Sequence, residues 1–200
     1  MGYLTEITDN IFQTAKSRLI INPAFDIVLE IQKLFREEDL TEFEKVDQAL
    51  QMLIVNDWNL RLYSPREKVN LLNEISKKYI TVKKRPNVKK SPRPVLDFEE
   101  DGDYIYASFM QEYHIDLIDE QGKLPWKKFL FLFNGLSSDT KIKQVMRIRD
   151  MDVPEYNGKN MKQIQEIQRL QSYYALPVKG GGGQSGLDLL FSTLEGMARQ

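Results

Sequence analysis

The chain lacks cysteine altogether and has a single histidine, His114, among its 200 residues. The first absence excludes disulfides, thiol nucleophiles and cysteine-ligated zinc. The second excludes a two-histidine metal site and any pair of imidazoles passing a proton between them. Long apolar runs are missing as well. The longest, Phe129 to Phe133, falls far short of the roughly 18 residues that a membrane span requires. The N-terminus carries Glu6 and Asp9 in place of a basic stretch followed by an apolar one, so no secretory signal is read. Glu6 also stands where a myristoylation start after Met1-Gly2 needs Ser or Thr. The formal charge of −1 gives no global field to draw in polyanions. The expectation is a cytoplasmic chain with no membrane partner.

Catalytic patterns are absent too. No Ser-His-Asp order, paired-carboxylate motif, nucleotide fingerprint or metal-ligand spacing is found, so the reading is of a non-enzymatic protein without cofactor or metal. His114 follows an aromatic helix where a C-terminal cap belongs, and a structural role is preferred over that of a lone general base. Asp97 to Asp103, with Gly102, lacks the D-x-D-x-D-G spacing and the closing Glu of a calcium loop. It reads as a solvated acidic run that also caps the next helix. Gly180 to Gly183 is followed by no Lys-Ser/Thr pair and is no phosphate loop.

What is present is mostly helical signal. Residues 11–21 mix β-branched and apolar side chains without helical spacing, and predict a strand or short hairpin. Asn22-Pro23 reads as N-cap and first helical position of a helix with Phe25, Val28, Leu29, Gln32 and Phe35 on its inner side, widened by Ile27, Ile31 and Leu34. Thr41 with Glu44 makes a capping box for a helix through Val46, Leu50, Leu53 and Ile54. Ser64 with Glu67 repeats the box, and Pro65 adds the favoured first residue of a helix through Val69, Leu72, Ile75 and Tyr79. Residues 1–80 are thus read as an N-terminal strand plus three-helix subdomain.

Residues 81–96 form a basic, proline-containing linker carrying Lys83, Lys84, Arg85, Lys89, Lys90 and Arg93. Its field is opposed by the acidic residues that follow, and no aromatic is interleaved for base stacking. Pairing with that acidic neighbour or with an acidic partner is favoured over nucleic-acid binding.

Residues 97–177 form an aromatic-rich helical core block. Nine of the 21 aromatic residues lie between Phe98 and Phe133, so the densest burial is expected there. Ile105, Phe109 and Tyr113, with Tyr106 and Met110 beside them, mark one helix. Pro125 opens a second with Trp126, Phe129, Leu130 and Phe133 on one face and Gly135 as its stop. Ser138 or Asp139 caps a third, with Ile142, Val145, Met146 and Arg149 on one side. Asn157-Gly158 is a turn, and residues 160–174 form a last helix facing Ile164, Ile167, Leu170 and Tyr174 inward. Residues 178–200 are a glycine-hinged amphipathic tail whose stripe is Leu187, Leu190, Phe191, Leu194 and Met197. That stripe is too short to be a stable helix on its own in water and is the candidate partner-binding segment. The fold class is mainly α, a small helical bundle with a short N-terminal β-strand or hairpin.

The ordered series Y-I-Y-A-S-F, H-I-D-L, K-L-x-W-x-K-F, G-L-S-S-D-T, R-x-M-D and Y-A-L within residues 97–177 resembles the bacteriophage gp-fifteen family of long-tailed phages and prophages of Gram-positive bacteria. The similarity continues in register over residues 10–80 and stops before the last two dozen residues. At His114 the family tends to place Gly, which argues against chemistry there. The resemblance implies a tail-assembly chaperone encoded beside the tape-measure protein. Its partners would be that protein and the tail-tube subunits, with homo-oligomerisation as a further association. It would act in the host bacterial cytoplasm and be absent from the mature virion. Chaperones of this kind are often made in two lengths by ribosomal frameshifting, and a slippery run after Lys179 would make residues 180–200 a frame-dependent tail. A permanent component of the tail or head-tail junction is the alternative, and a nucleic-acid-binding accessory protein the third.

Overall fold

Capping chemistry sets two of the helix starts in the computed structural model, which describes residues 9–82 and 94–177 together with Thr193, Gly196 and Met197. The described residues form a mainly helical protein with one short antiparallel hairpin. They fall into two compact units, one of residues up to 82 with 121–129 and Thr193, Gly196 and Met197, the other of 94–120 and 130–177. Gln121–Phe129 therefore groups with the N-terminal unit and not with the rest of the 97–177 block.

In the first unit β1 (Ile11–Gln13) pairs with β2 (Arg18–Ile20), Ile11 opposite Ile20. The strands lead to α1 (Phe25–Leu34), α2 (Glu42–Leu53), a 3-10 segment (Asp57–Leu62), α3 (Pro65–Ile75) and a π turn (Ser76–Ile80). Both capping boxes form: the Thr41 and Ser64 hydroxyls accept from the Glu44 and Glu67 amides, and each Glu carboxylate accepts from its cap residue's N–H. The α3 helix stops at Ile75, and Tyr79 is buried from the π turn, its hydroxyl donating to the Asp9 and Ile11 carbonyls.

The expected Asn22 cap with Pro23 at the first helical position does not form. Helix α1 begins at Phe25, and its cap residue Ala24 offers no side-chain bond. Long-range pairing replaces the local cap. Ala24 bridges Pro125, the Phe25 N–H donates to the Leu124 carbonyl at 2.9 Å, and the Trp126 N–H donates to the Pro23 carbonyl at 2.7 Å. The Asn22 side chain donates instead to the Gly122 carbonyl, and Gly122, at φ +69°, takes the left-handed turn that brings this segment back. Phe25 then stacks on Phe129 with centroids 4.9 Å apart, and Phe129 on Trp126.

The second unit holds α4 (Gly102–Tyr113), the later turns of α5 (Trp126–Gly135), α6 (Lys141–Asp150) and α7 (Met161–Tyr173). Among the largest fully buried side chains of the described residues only Phe109 belongs to it. The others, from Leu19 and Ile31 to Tyr79 and Trp126, lie in the first unit. The expected centre of burial is thus displaced. Aromatic count measures available apolar area, whereas full burial needs cover on every side, which the hairpin, three helices and returning segment supply.

Gly135 ends α5 as expected, though without a left-handed φ; its lack of a side chain also serves a close approach, since an added Cβ would lie 3.0 Å from the Tyr113 hydroxyl. Two local expectations in this unit are corrected. The cap of α6 is Thr140 and not Ser138 or Asp139. It makes no side-chain cap bond, and the Ile142 N–H is met by Ser108 Oγ of α4 at 3.1 Å. Finally, the acidic run is not wholly solvated. Asp97 and Asp101 are buried. Asp97 accepts from the Glu99 and Glu100 amides, and both oxygens of Asp101 face the Arg149 guanidinium at 2.6 and 2.8 Å.

Two measurements check this account. A buried charge that loses its partner leaves an uncompensated ion, at a cost of about 3–5 kcal/mol. Arg149→Ala should lower the denaturation midpoint accordingly and Arg149→Lys recover only part, because an ammonium cannot make the forked pair; an unchanged midpoint in the alanine variant contradicts the assignment. The second concerns Glu67, held down to about 2 from 4.5, first by Lys16 and then by the Ser64 amide and hydroxyl. A depressed carboxylate contributes stability above its unfolded value that is lost as pH falls through the folded one. Melting temperature should therefore decline between about pH 4.5 and 2, with a smaller decline in Glu67→Gln. Both side chains of the Lys16–Glu67 pair are exposed, so added salt should shrink the difference.

Candidate protein-binding surface

The sequence motifs turn out to be joints between elements. In Y-I-Y-A-S-F, Ser108 accepts from Ile142 while donating to the Tyr104 carbonyl, and Tyr106 donates to Asp116 at 3.0 Å. Asp116 is held below the usual carboxylate range, chiefly by the Ile118 amide, and its bond to Tyr106 raises that phenol. In G-L-S-S-D-T, Ser137 bonds Glu112, and the Thr140 hydroxyl donates to the Ser137 carbonyl. Arg149 of R-x-M-D reaches furthest, adding to Asp101 the carbonyls of Val95 at 3.1 Å and of Tyr174, in Y-A-L, at 2.6 Å. Lys141 lies over the rings of Tyr104 and Tyr174 and donates to the Tyr174 hydroxyl at 2.7 Å. That bond above all raises its pKa.

His114 closes α4 in the left-handed conformation, φ +53°, with its N–H on the Met110 carbonyl. This is the structural capping role expected of it, and a position that glycine occupies without strain.

The residues expected to bind partners fall largely elsewhere. Leu187, Leu190, Phe191 and Leu194, and Lys83, Lys84, Arg85, Lys89, Lys90 and Arg93, lie outside the described residues. Met197 is described and is helical and half-buried.

Sequence reasoning did not single out a set of apolar side chains left uncovered. In the first unit Ile21 bridges Ile54 with both side chains buried. The alternation of strand faces therefore turns the neighbouring Ile20 and Val55 outward together. Trp58, 65% exposed, follows three residues after Val55, and Leu62 is exposed beyond it. Phe43 stands 55% exposed on α2. In the second unit α7 buries none of its residues. Its stripe of Ile164, Ile167, Leu170 and Tyr174 is only half-covered, and Tyr173 is 75% exposed. The available signal was Trp58, a large aromatic that belongs to no apolar stripe; Phe43 is in helical phase with Val46 and Leu50 and gave no such signal.

Among the described residues no group of three or more acidic or histidine side chains could hold a metal ion, and no helix is long and apolar enough to cross a membrane. The fold and its surface define a mainly helical protein whose motif residues hold elements together and some of whose large apolar side chains are exposed. The chain belongs to the family described as Bacteriophage Gp15 protein, which it matches over residues 7–176, and is a phage protein. No curated protein and no solved structure matches it.

An exposed side chain that the fold does not use can be changed at little cost, typically within about 0.5 kcal/mol. Trp58→Ser should leave the melting temperature nearly unchanged, whereas Trp126→Ser, which removes a fully buried ring, should lower it strongly. Equal losses in the two variants would show that Trp58 supports the fold and is not part of an open surface.

Proposed function

We propose that the chain is a tail-assembly chaperone that covers apolar faces of the phage tape-measure protein while tail-tube subunits polymerise around it. The observation that carries this reading is α7, which has a helical apolar stripe and yet buries no residue. A helix of that kind matches a partner that is itself an amphipathic helix, since stripe packs on stripe. The uncovered Ile20, Val55, Trp58 and Leu62 of the first unit supply a further apolar surface, in keeping with a partner engaged at several points. The phage family and the gene position that the sequence resemblance implies agree with the same role. Two weak contacts on one chain reinforce each other through effective concentration, which gives the tail from Leu187 to Met197 a place as an additional contact.

The test is co-expression of the tape-measure protein with the full chain, with Ile167→Ser/Leu170→Ser, and with a chain ending at Val178. The partner should be soluble only with the full chain and lose solubility with the α7 variant; loss on truncation adds the tail to the contact. A partner whose solubility does not respond to the chain at all overturns the chaperone reading. Finding the chain in fixed copy number in purified particles by mass spectrometry would replace it with a permanent structural role.

A further inference from the structure

Three residues of the tail are described, Thr193, Gly196 and Met197, and all three are helical and group with the first unit. Their exposure is one-sided. Thr193 and Met197, four residues apart and so on one helix face, are half-buried. Gly196 is exposed, and a Cβ added to it would meet nothing within 4 Å. At about 100° per residue, Met197 falls on the stripe of Leu187, Leu190, Phe191 and Leu194, Thr193 borders that stripe, and Gly196 stands opposite it. The covered side is therefore the apolar side, and the far side is open.

Little in the segment favours a helix by itself. Glycine is the poorest helix former after proline, and a stripe from Leu187 to Met197 is too short to hold a helix in water. Such a segment becomes helical where an apolar surface takes its stripe. In a single chain the cover over Thr193 and Met197 comes from the chain itself, and it is the first unit with which they group.

We propose that the tail packs its stripe of Leu187, Leu190, Phe191, Leu194 and Met197 on the first unit of its own chain, as an intramolecular helix that a partner must displace. Between separate molecules so small a contact is weak. Residues 178–186, with four glycines in succession, make a flexible tether that holds the tail at an effective concentration on the order of millimolar. With an intrinsic dissociation constant of about 100 µM, that concentration seats the tail roughly nine-tenths of the time. The stripe is then shielded from water in the free chain, and the surface beneath it opens only when the tail leaves. This seat is independent of the chaperone reading, to which it adds that a partner taking the tail competes with the chain's own first unit.

Hydrogen exchange over residues 185–200, read by mass spectrometry, compares the full chain with its variant Leu190→Ser/Phe191→Ser, which removes the middle of the stripe. These amides should exchange about tenfold more slowly in the unmodified chain. Gly196→Ala should slow them several-fold further, because the added methyl meets open space and alanine favours the helix. Equal exchange in the chain and the double-serine variant overturns the proposal, as does faster exchange in Gly196→Ala, which would set that residue against the seat. Protection that disappears on dilution assigns the seat to a second copy and overturns the intramolecular assignment. A labelled peptide of residues 185–200 supplies an independent arm. It should bind the double-serine chain, whose seat is open, about tenfold more tightly than the unmodified chain, where the tail competes with it; equal binding to both, or binding to neither, overturns the proposal. Tape-measure solubility enters neither arm, so the failure of the chaperone reading and the failure of the tail's seat are told apart.

Discussion

The second unit depends on one buried guanidinium. Arg149, on the inner side of α6, takes both oxygens of Asp101 at the start of α4, the carbonyl of Val95 ahead of it and the carbonyl of Tyr174 at the end of α7. Two stretches far apart in the sequence, 95–101 and the end of α7, are thus fixed to one planar donor on α6. Arginine suits the task because its donors form a rigid fork that addresses several acceptors at once and stays charged when buried. Lysine would offer a point charge on a flexible stem. The pair is nearly sealed from water, at 8% and 1% side-chain exposure. Such a pair adds little net stability over an apolar replacement, but it does specify which ends meet, and every alternative arrangement strands a charge.

The same logic accounts for the other motif residues. Ser108 caps a helix that has no cap of its own, Gly135 lets the Tyr113 hydroxyl approach, and His114 takes the left-handed turn that ends α4. Each is a place where a backbone group or a close approach allows few side chains. A recognisable family pattern here therefore reports how the chain is joined together. Apart from Tyr174 of Y-A-L, the surfaces that would meet another protein are made of residues the motifs leave out.

What could be read from the sequence follows the range of the interaction. The capping boxes at Thr41 and Ser64 were legible because hydroxyl, carboxylate and amide lie within three residues of one another. The hairpin and the stripes of α1 to α3 were legible because strand and helix periods are local. Asn22-Pro23 misled because the same local signal was overridden by pairing with Leu124 and Trp126, about a hundred residues on. The acidic run misled for a related reason. Five carboxylates in seven residues look solvated until Arg149, 48 residues after Asp101, is found to face it. Of the candidate surface, the α7 stripe was read correctly in position. Its incomplete burial was not, since periodicity names the apolar side of a helix but not whether anything covers it.

That difference between having an apolar face and burying it separates the two units. In the first, α1, α2 and α3 converge with the hairpin and the returning segment at 121–129, and their stripes are closed. In the second, α7 is held at its C-terminal end by Arg149, Lys141 and Gln171, which bonds the Ile148 and Met151 carbonyls. Among the described residues no such bonds fasten its N-terminal turns to α6, and there Met161 is exposed and Ile164 half-covered. Polar bonds at one end fix the helix in place without burying its stripe, and the hydrophobic free energy of that stripe, about 25 cal/mol for each Å² still open to water, remains for a partner. A helix fixed by polar bonds at one end can present an apolar face without the unit losing its core, and that is the property on which the proposed chaperone role would draw.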